Sequence, residues 1–259
     1  MKRVDFSEVT EQSGAPATRG QIGDTFQRYA WASQFCRGRR VIEVACGTGQ
    51  GLGLVARSAV RVVGCDIEPR SIAVARATFG ERIAFHVAPA EHLPAGDSSF
   101  DVVMLFEALY YLPDVDAFLR ECARVLVKEG LLLLTTVNKD LFDFVPSLFS
   151  QNYYGAAELG PLLRAHGFSC ELFGAAPVHT LPRRHRMLRP LKAAARRLGL
   201  VPTTMRGKAT LRTLLFGRLP LMPHDISELD LPYLPPIAVR AEEADRTHRF
   251  LYAVARRQE

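Results

Sequence analysis

The sequence predicts an α/β fold, a mostly parallel, doubly wound sheet of seven strands with helices on both faces. Three observations carry this reading. Short β-branched runs alternate with helix-like stretches from residue 41 to residue 137, the order that builds a parallel sheet from strand–helix–strand units. The run Phe100 to Phe106 is almost continuously apolar, as in a strand covered on both faces. A glycine-rich turn joins the first strand to the first helix of the alternation, a join that open α/β sheets use for binding.

The elements follow in order. Arg40 to Ala45 reads as the first strand and Gly49 to Arg57 as the helix after the turn. Val60 to Cys65 is the second strand. Pro69 to Thr78 is a helix with its proline in the first turn, where a missing N–H is harmless. Arg82 to Val87 and Phe100 to Phe106 are the third and fourth strands. In Asp114 to Val127, Phe118, Leu119, Cys122, Val125 and Leu126 recur at helical spacing, with Asp114 as cap and Gly130 beyond the end. Leu131 to Val137 is the fifth strand, Ala156 to His166 a short helix closed by Gly167, and Ser169 to Ala175 the sixth strand. Arg249 to Ala255, with Phe250, Tyr252 and Val254 alternating, is the seventh.

Composition narrows the class. The 259 residues are 48% hydrophobic and 23% charged, enough to bury a large core without disulfide staples. Five scattered cysteines, Cys36, Cys46, Cys65, Cys122 and Cys170, include no C-x-x-C pair. They read as small core hydrophobes rather than a disulfide framework or a zinc site, so no metal is expected. Residues Met1 to Gln12 are polar and no apolar run approaches the roughly 20 residues of a membrane span. The expectation is a cytoplasmic protein without signal peptide or transmembrane segment. Net charge is +6, but Arg183 to Arg218 hold 11 of the 33 basic residues and no acidic one, leaving 22 basic against 27 acidic side chains elsewhere. A single segment therefore makes the chain basic.

The most informative stretch is Val41-Ile42-Glu43-Val44-Ala45-Cys46-Gly47-Thr48-Gly49-Gln50-Gly51. Glycines allow a sharp turn and close approach of a ligand to the main chain, and the helix beyond offers unpaired N–H groups. Gly51-Leu52-Gly53-Leu54-Val55-Ala56 matches the dinucleotide fingerprint, but Gly51 lies five residues beyond the strand, and counting from Gly47 the pattern breaks at Leu52. The second marker is Asp66, closing the second strand in Gly64-Cys65-Asp66-Ile67. A carboxylate there accepts the ribose hydroxyls of an adenosine, without choosing between adenosine cofactors.

With these residues the chain resembles the class I SAM-dependent methyltransferases, which are Rossmann-like. The likeness covers roughly residues 29–175 and adds Ala90-Glu91-His92-Leu93-Pro94, Ser99-Phe100-Asp101-Val102-Val103 and Arg124-Val125-Leu126 before Gly130. Arg28-Tyr29-Ala30-Trp31-Ala32 and Phe106-Glu107-Ala108-Leu109-Tyr110-Tyr111-Leu112 are similar to bacterial small-molecule and glycan-modifying members. The resemblance implies that S-adenosyl-L-methionine is the cofactor and S-adenosylhomocysteine the product. It implies that Glu43 supports the turn and that backbone groups at Ala45, Gly47 and Gly49 face the methionine moiety, with main-chain amides exposed to the cofactor at Gly47 and Gly49. Asp66 would take the ribose and Ile67 pack on the adenine, with Ala90 and Glu91 at the adenine edge. Phe106 would close over the methionine end and Tyr29 cover the cofactor. Pro89 stands where the family often has an aspartate for the adenine amino group, so recognition there leans on Glu91 or on backbone.

A sulfonium methyl is already electrophilic, so alignment with a nucleophile supplies much of the rate, and a hydroxyl acceptor additionally needs a base. Glu107, Tyr110 and Tyr111 follow the fourth strand on the carboxyl edge of the sheet, where ligands bind in this architecture. Glu107 is a candidate base or a partner for the cofactor amine, and Tyr111 a candidate for the acceptor pocket. His224, in Pro223-His224-Asp225, is a candidate base from the insertion, with His92 another. No Asn-Pro-Pro-Tyr-type element follows the fourth strand.

The expected organisation is an N-terminal helical cap over the cofactor (1–40), a core (41–177), an insertion forming a lid or acceptor wall (178–246) and a last strand (247–259). Within the insertion, Leu191, Ala194, Ala195 and Leu198 form an apolar stripe opposite Lys192, Arg196 and Arg197. The readings are a packed helix with a solvated basic face, a wall for an acidic or phosphorylated acceptor, a weak membrane-surface contact and, last, nucleic acid. The leading function is methyl transfer to a hydroxyl or amine of a small molecule, such as a sugar or secondary metabolite. The alternatives are RNA or protein methylation, SAM binding without catalysis, and NAD-dependent oxidation.

Overall fold

A computed structural model describes residues 12–147, 149–180, 189–190 and 219–258. The expected basic helix around Leu191 to Leu198 lies outside the described residues.

Helix α1 (Arg19–Cys36) starts at a capping box: the Thr18 hydroxyl accepts from Gln21 N at 3.2 Å, and Gln21 Oε1 accepts from Thr18 N at 3.0 Å. Its residues Phe26, Tyr29, Ala32 and Cys36 fall on one buried face. Strand β1 (Arg40–Val44) leads through the glycine turn into the short helix α2 (Leu52–Ala56). Then come β2 (Arg61–Asp66), α3 (Pro69–Phe79), β3 (Ala84–Val87), β4 (Phe100–Phe106) and α4 (Val115–Val125). Asp114 caps α4 by accepting from Ala117 N at 2.8 Å. Strand β5 (Leu126–Val137), α5 (Ala156–Ala165), β6 (Phe168–Pro177), β7 (Ile237–Val239) and β8 (His248–Arg257) complete the order.

These strands form one sheet in the order β3-β2-β1-β4-β5-β8-β6-β7. Strands β1 to β5 run parallel, β8 lies antiparallel between β5 and β6, and β7 is antiparallel to β6. Among the described residues the sheet thus has eight strands rather than the expected seven. The extra one is three residues long and follows Pro235-Pro236, too short for any alternation to mark it. Apolar side chains cover both faces. Ile42, Val44, Val103 and Leu105 pack with Phe118, Leu119, Leu159 and Leu163 of α4 and α5. Val41, Val102 and Met104 pack on the opposite face with Phe26, Trp31, Leu52, Ile72 and Phe79 of α1 to α3.

Strand order reverses between β1 and β4, and in such sheets the crevice above the reversal is the binding position. Among the described residues no helix is long and apolar enough to cross a membrane.

Candidate active site

The carboxyl ends of β1 and β4 both carry a non-glycine residue in the left-handed region, Ala45 at φ 55° and Glu107 at φ 53°. Each costs on the order of 1–3 kcal/mol unless its surroundings fix it, and here they stand on adjacent strands at the reversal. Gly47 (φ 55°) and Gly49 (φ 72°) continue the turn. Asp66 braces it from β2: its Oδ2 accepts from Gly47 N and its Oδ1 from Glu68 N, each at 2.8 Å. Burial raises the Asp66 carboxyl, and these two N–H donors oppose that shift.

The turn uses its own amides, which corrects one expectation. Gly47 N is engaged by Asp66, and Gly49 N donates to Cys46 O at 2.9 Å, because a buried turn must satisfy its donors internally. With the amides of Gly47 and Gly49 engaged, and Gly49 O itself accepting from Leu52 N at 2.9 Å, what these two glycines have left for a ligand is spare carbonyl lone pairs, suited to an ammonium rather than to a carboxylate.

Beneath the turn, Tyr29 Oη donates to Glu43 Oε1 at 2.6 Å. Burial pushes Glu43 up to about 8, against the opposing hydrogen bond from Tyr29 and the charge of Arg28. Glu43 Oε2 has no hydrogen-bond partner among the described residues. The expectation that Tyr29 covers the cofactor does not hold. Its ring fills the space above Gly51, where an added Cβ would meet it at 2.1 Å, and stands edge-on to Phe106 at 5.3 Å between ring centres. The helical phase of α1 puts Tyr29 on the core face with Phe26 and Ala32, so it supports the turn from below. Phe106 is likewise turned into the aromatic group of Tyr29 and Trp31 rather than out over the crevice.

At the end of β2, Ile67 is half exposed beside Asp66, and Ala88 N donates to Asp66 O at 3.0 Å, bringing the end of β3 alongside. In the following loop Ala90 is buried, and Glu91 Oε1 is buried without a hydrogen-bond partner among the described residues. An exposed aliphatic platform, a braced carboxylate and an orphaned acceptor are what an adenosine needs for its base, ribose and amino group.

On the other side of the reversal, Glu107 N donates to Thr135 O at 2.9 Å, and Glu107 Oε2 lies 3.4 Å from Tyr110 Oη. Tyr110 is buried and stacks on Tyr153, with ring centres 4.5 Å apart. Burial holds its hydroxyl well above the ordinary range, so it is a packing group and not a base. Tyr111 Oη shares a 2.6 Å hydrogen bond with Ser147 Oγ, tying the loop after β5 to this turn. The two histidines lie elsewhere. His92 is exposed in the loop after β3. His224 is exposed near Gly14.

Arg28 was overlooked as a site residue. Arg28 is half-buried on α1, and its positive charge opposes the upward shifts of Glu43, Tyr29, Tyr110 and Tyr252. Its place in the Arg28-Tyr29 pair was the available signal. Arg189, inside the basic segment, forms a bidentate pair with Asp143 (2.5 and 2.8 Å) and lies over the Phe142 ring.

Residues 42–134 match the methyltransferase domain family. A probable S-adenosylmethionine-dependent methyltransferase of Mycolicibacterium smegmatis is 36% identical over 158 residues, 58% of this chain and 61% of that protein. A ubiquinone biosynthesis O-methyltransferase of Sinorhizobium medicae is 31% identical over 135 residues, 51% of this chain and 54% of that protein. The chain thus spans between half and two thirds of the length of these relatives. An S-adenosylmethionine-dependent methyltransferase structure from Mesorhizobium loti superposes with a TM-score of 0.56 at 16% identity, covering 91% of this chain and all of that one.

Proposed function

We propose that this chain, whose residues 42–134 match the methyltransferase domain family, is a SAM-dependent methyltransferase that methylates a hydroxyl or amine of a small molecule, with Glu107 as the proton acceptor when the acceptor is a hydroxyl. The observation that carries the reading is the braced Asp66 between the glycine turn, the half-exposed Ile67 and the orphaned Glu91 acceptor.

The cofactor supplies an electrophilic sulfonium methyl group. Asp66 holds the ribose hydroxyls with the lone pairs its backbone donors leave over. Ile67 packs against the adenine, and Glu91 Oε1 accepts from its amino group. The carbonyls of the turn take the ammonium and Arg28 the carboxylate of the methionine end. Glu107, at the adjacent strand end and fixed by its strained backbone, receives the acceptor's proton. Tyr110, Tyr111 and Tyr153 set the wall beside it. Similarity to ubiquinone biosynthesis O-methyltransferases supports oxygen over nitrogen, and the run from Arg183 to Arg218, with 11 basic residues and no acidic one, supports an acceptor with acidic groups.

Titration calorimetry with SAM, S-adenosylhomocysteine and NAD tests the cofactor. SAM and S-adenosylhomocysteine bind the wild type, and Asp66→Ala weakens both at least about tenfold, the scale of a lost charge-assisted hydrogen bond. NAD binding in their place, or an Asp66→Ala variant of unchanged affinity, overturns the assignment.

A further inference from the structure

Two segments distant in sequence cross over the glycine turn. Gly14 N donates to Met222 O at 2.8 Å, Met222 N to Ala15 O at 2.9 Å, and Ala17 N to Pro220 O at 2.9 Å, so residues 14–17 and 220–222 pair as a short antiparallel ribbon. Both strands of this ribbon are fastened to the turn. Ser13 N and Oγ reach Thr48 Oγ1 at 3.1 and 2.7 Å, and Thr48 passes its own hydrogen on to Gln50 Oε1 at 2.8 Å. From the other segment, Ile226 N donates to Gln50 O at 2.8 Å, and the fully buried Ile226 side chain enters the core beside Leu52 and Val55.

The fastening depends on a notch in α2. An ideal Cβ on Gly53 would lie 2.3 Å from both carboxylate oxygens of Asp225. Asp225 Oδ1 in turn accepts from Ser227 N at 2.9 Å, which fixes the turn that presents Ile226 to Gln50. Arg57 Nη2 adds a hydrogen bond to Ser227 O. In a helix interior glycine is about 1 kcal/mol less favourable than alanine, and here its bare face is filled by a polar side chain from the insertion.

We infer that Asp225 is a positioning residue of the cofactor site: seated in the Gly53 notch, it clamps residues 220–229, and through them residues 12–17, onto Thr48 and Gln50, so that the cofactor leaves only when this clasp lifts. The inference rests on the proposed cofactor site, and wild-type protein that binds no S-adenosylhomocysteine would refute that site rather than the clasp.

The experiment uses the full chain and labelled S-adenosylhomocysteine, with dissociation followed by rapid filtration after dilution. Gly53→Ala pushes Asp225 out of the notch, Asp225→Ala empties it, and Asp225→Asn keeps both the shape and the acceptor for Ser227 N. The first two speed release roughly tenfold, the scale of losing one hydrogen bond to a charged group, and Asp225→Asn releases at close to the wild-type rate. In ligand-free protein the same two variants show faster amide exchange across residues 46–53 than Asp225→Asn does, while exchange in the central strands β4 and β5 stays alike in all three. Should Gly53→Ala fail to fold, Asp225→Ala and Asp225→Asn carry the comparison. Unchanged release in Asp225→Ala, or an Asp225→Asn variant as fast as Asp225→Ala, overturns the inference.

Discussion

Replacing Glu43 by glutamine isolates the energetics under the glycine turn. Glu43 is fully enclosed, and burial lifts it from the ordinary glutamate value of 4.5 to about 8. The folded protein therefore holds this proton more tightly than the unfolded chain does. Below about pH 4.5 both states are protonated and the group costs nothing. Between about pH 4.5 and 8 the unfolded chain ionises while the folded one stays neutral, so stability falls as pH rises, and above about 8 the loss is complete. The gap corresponds to about 5 kcal/mol at roughly 1.4 kcal/mol per pH unit. Glutamine keeps the acceptor for Tyr29 Oη and has no proton to lose. Urea unfolding followed by Trp31 fluorescence at intervals from pH 5 to 9 makes the comparison. Wild type loses several kcal/mol relative to Glu43→Gln across that range, and the variant is the more stable protein at pH 9. Parallel pH profiles for the two would show that Glu43 is already ionised in the folded state and refute the reasoning.

Two further outcomes follow from the same region. Gly51→Ala drives a methyl group into the Tyr29 ring at 2.1 Å, and overpacking of this kind costs about 1–3 kcal/mol, read as a lower urea midpoint with an unchanged slope. Arg28→Gln removes the cation that opposes the upward shift of Glu43 and Tyr110. It weakens S-adenosylhomocysteine binding in calorimetry and leaves adenosine binding nearly unchanged, because adenosine has no carboxylate for Arg28 to hold.

Much of the core was legible because its signals are local. The apolar run Phe100 to Phe106 matches β4 residue for residue. Asp114 caps α4, and Pro69 opens α3, as their residue types require. Asp66 stands at a strand end beside the turn, where its spacing from Gly47 put it. What was misread depends on contacts between distant parts of the chain. Periodicity in α1 shows that Tyr29 belongs to a buried face, but not that this face meets Gly51. The assignment of amides at Gly47 and Gly49 to a ligand overlooked the internal acceptors Asp66 and Cys46. Pairing of residues 14–17 with 220–222, across some two hundred residues, leaves no trace in either segment's own pattern. His224 drew notice as a titratable side chain, whereas its neighbour Asp225 makes the contact that organises the segment.

The placement of β8 has a consequence for how the chain reaches this state. It pairs with β5 on one side and β6 on the other, along seven and nine residue positions respectively. During synthesis β6 emerges long before β8, with nothing yet to join it to the parallel half of the sheet. Both flanking strands must wait with open backbone edges, which are templates for pairing with other chains. Acquiring β8 is a long-range closure, slow by its topology, and it is the step at which aggregation competes most directly with folding.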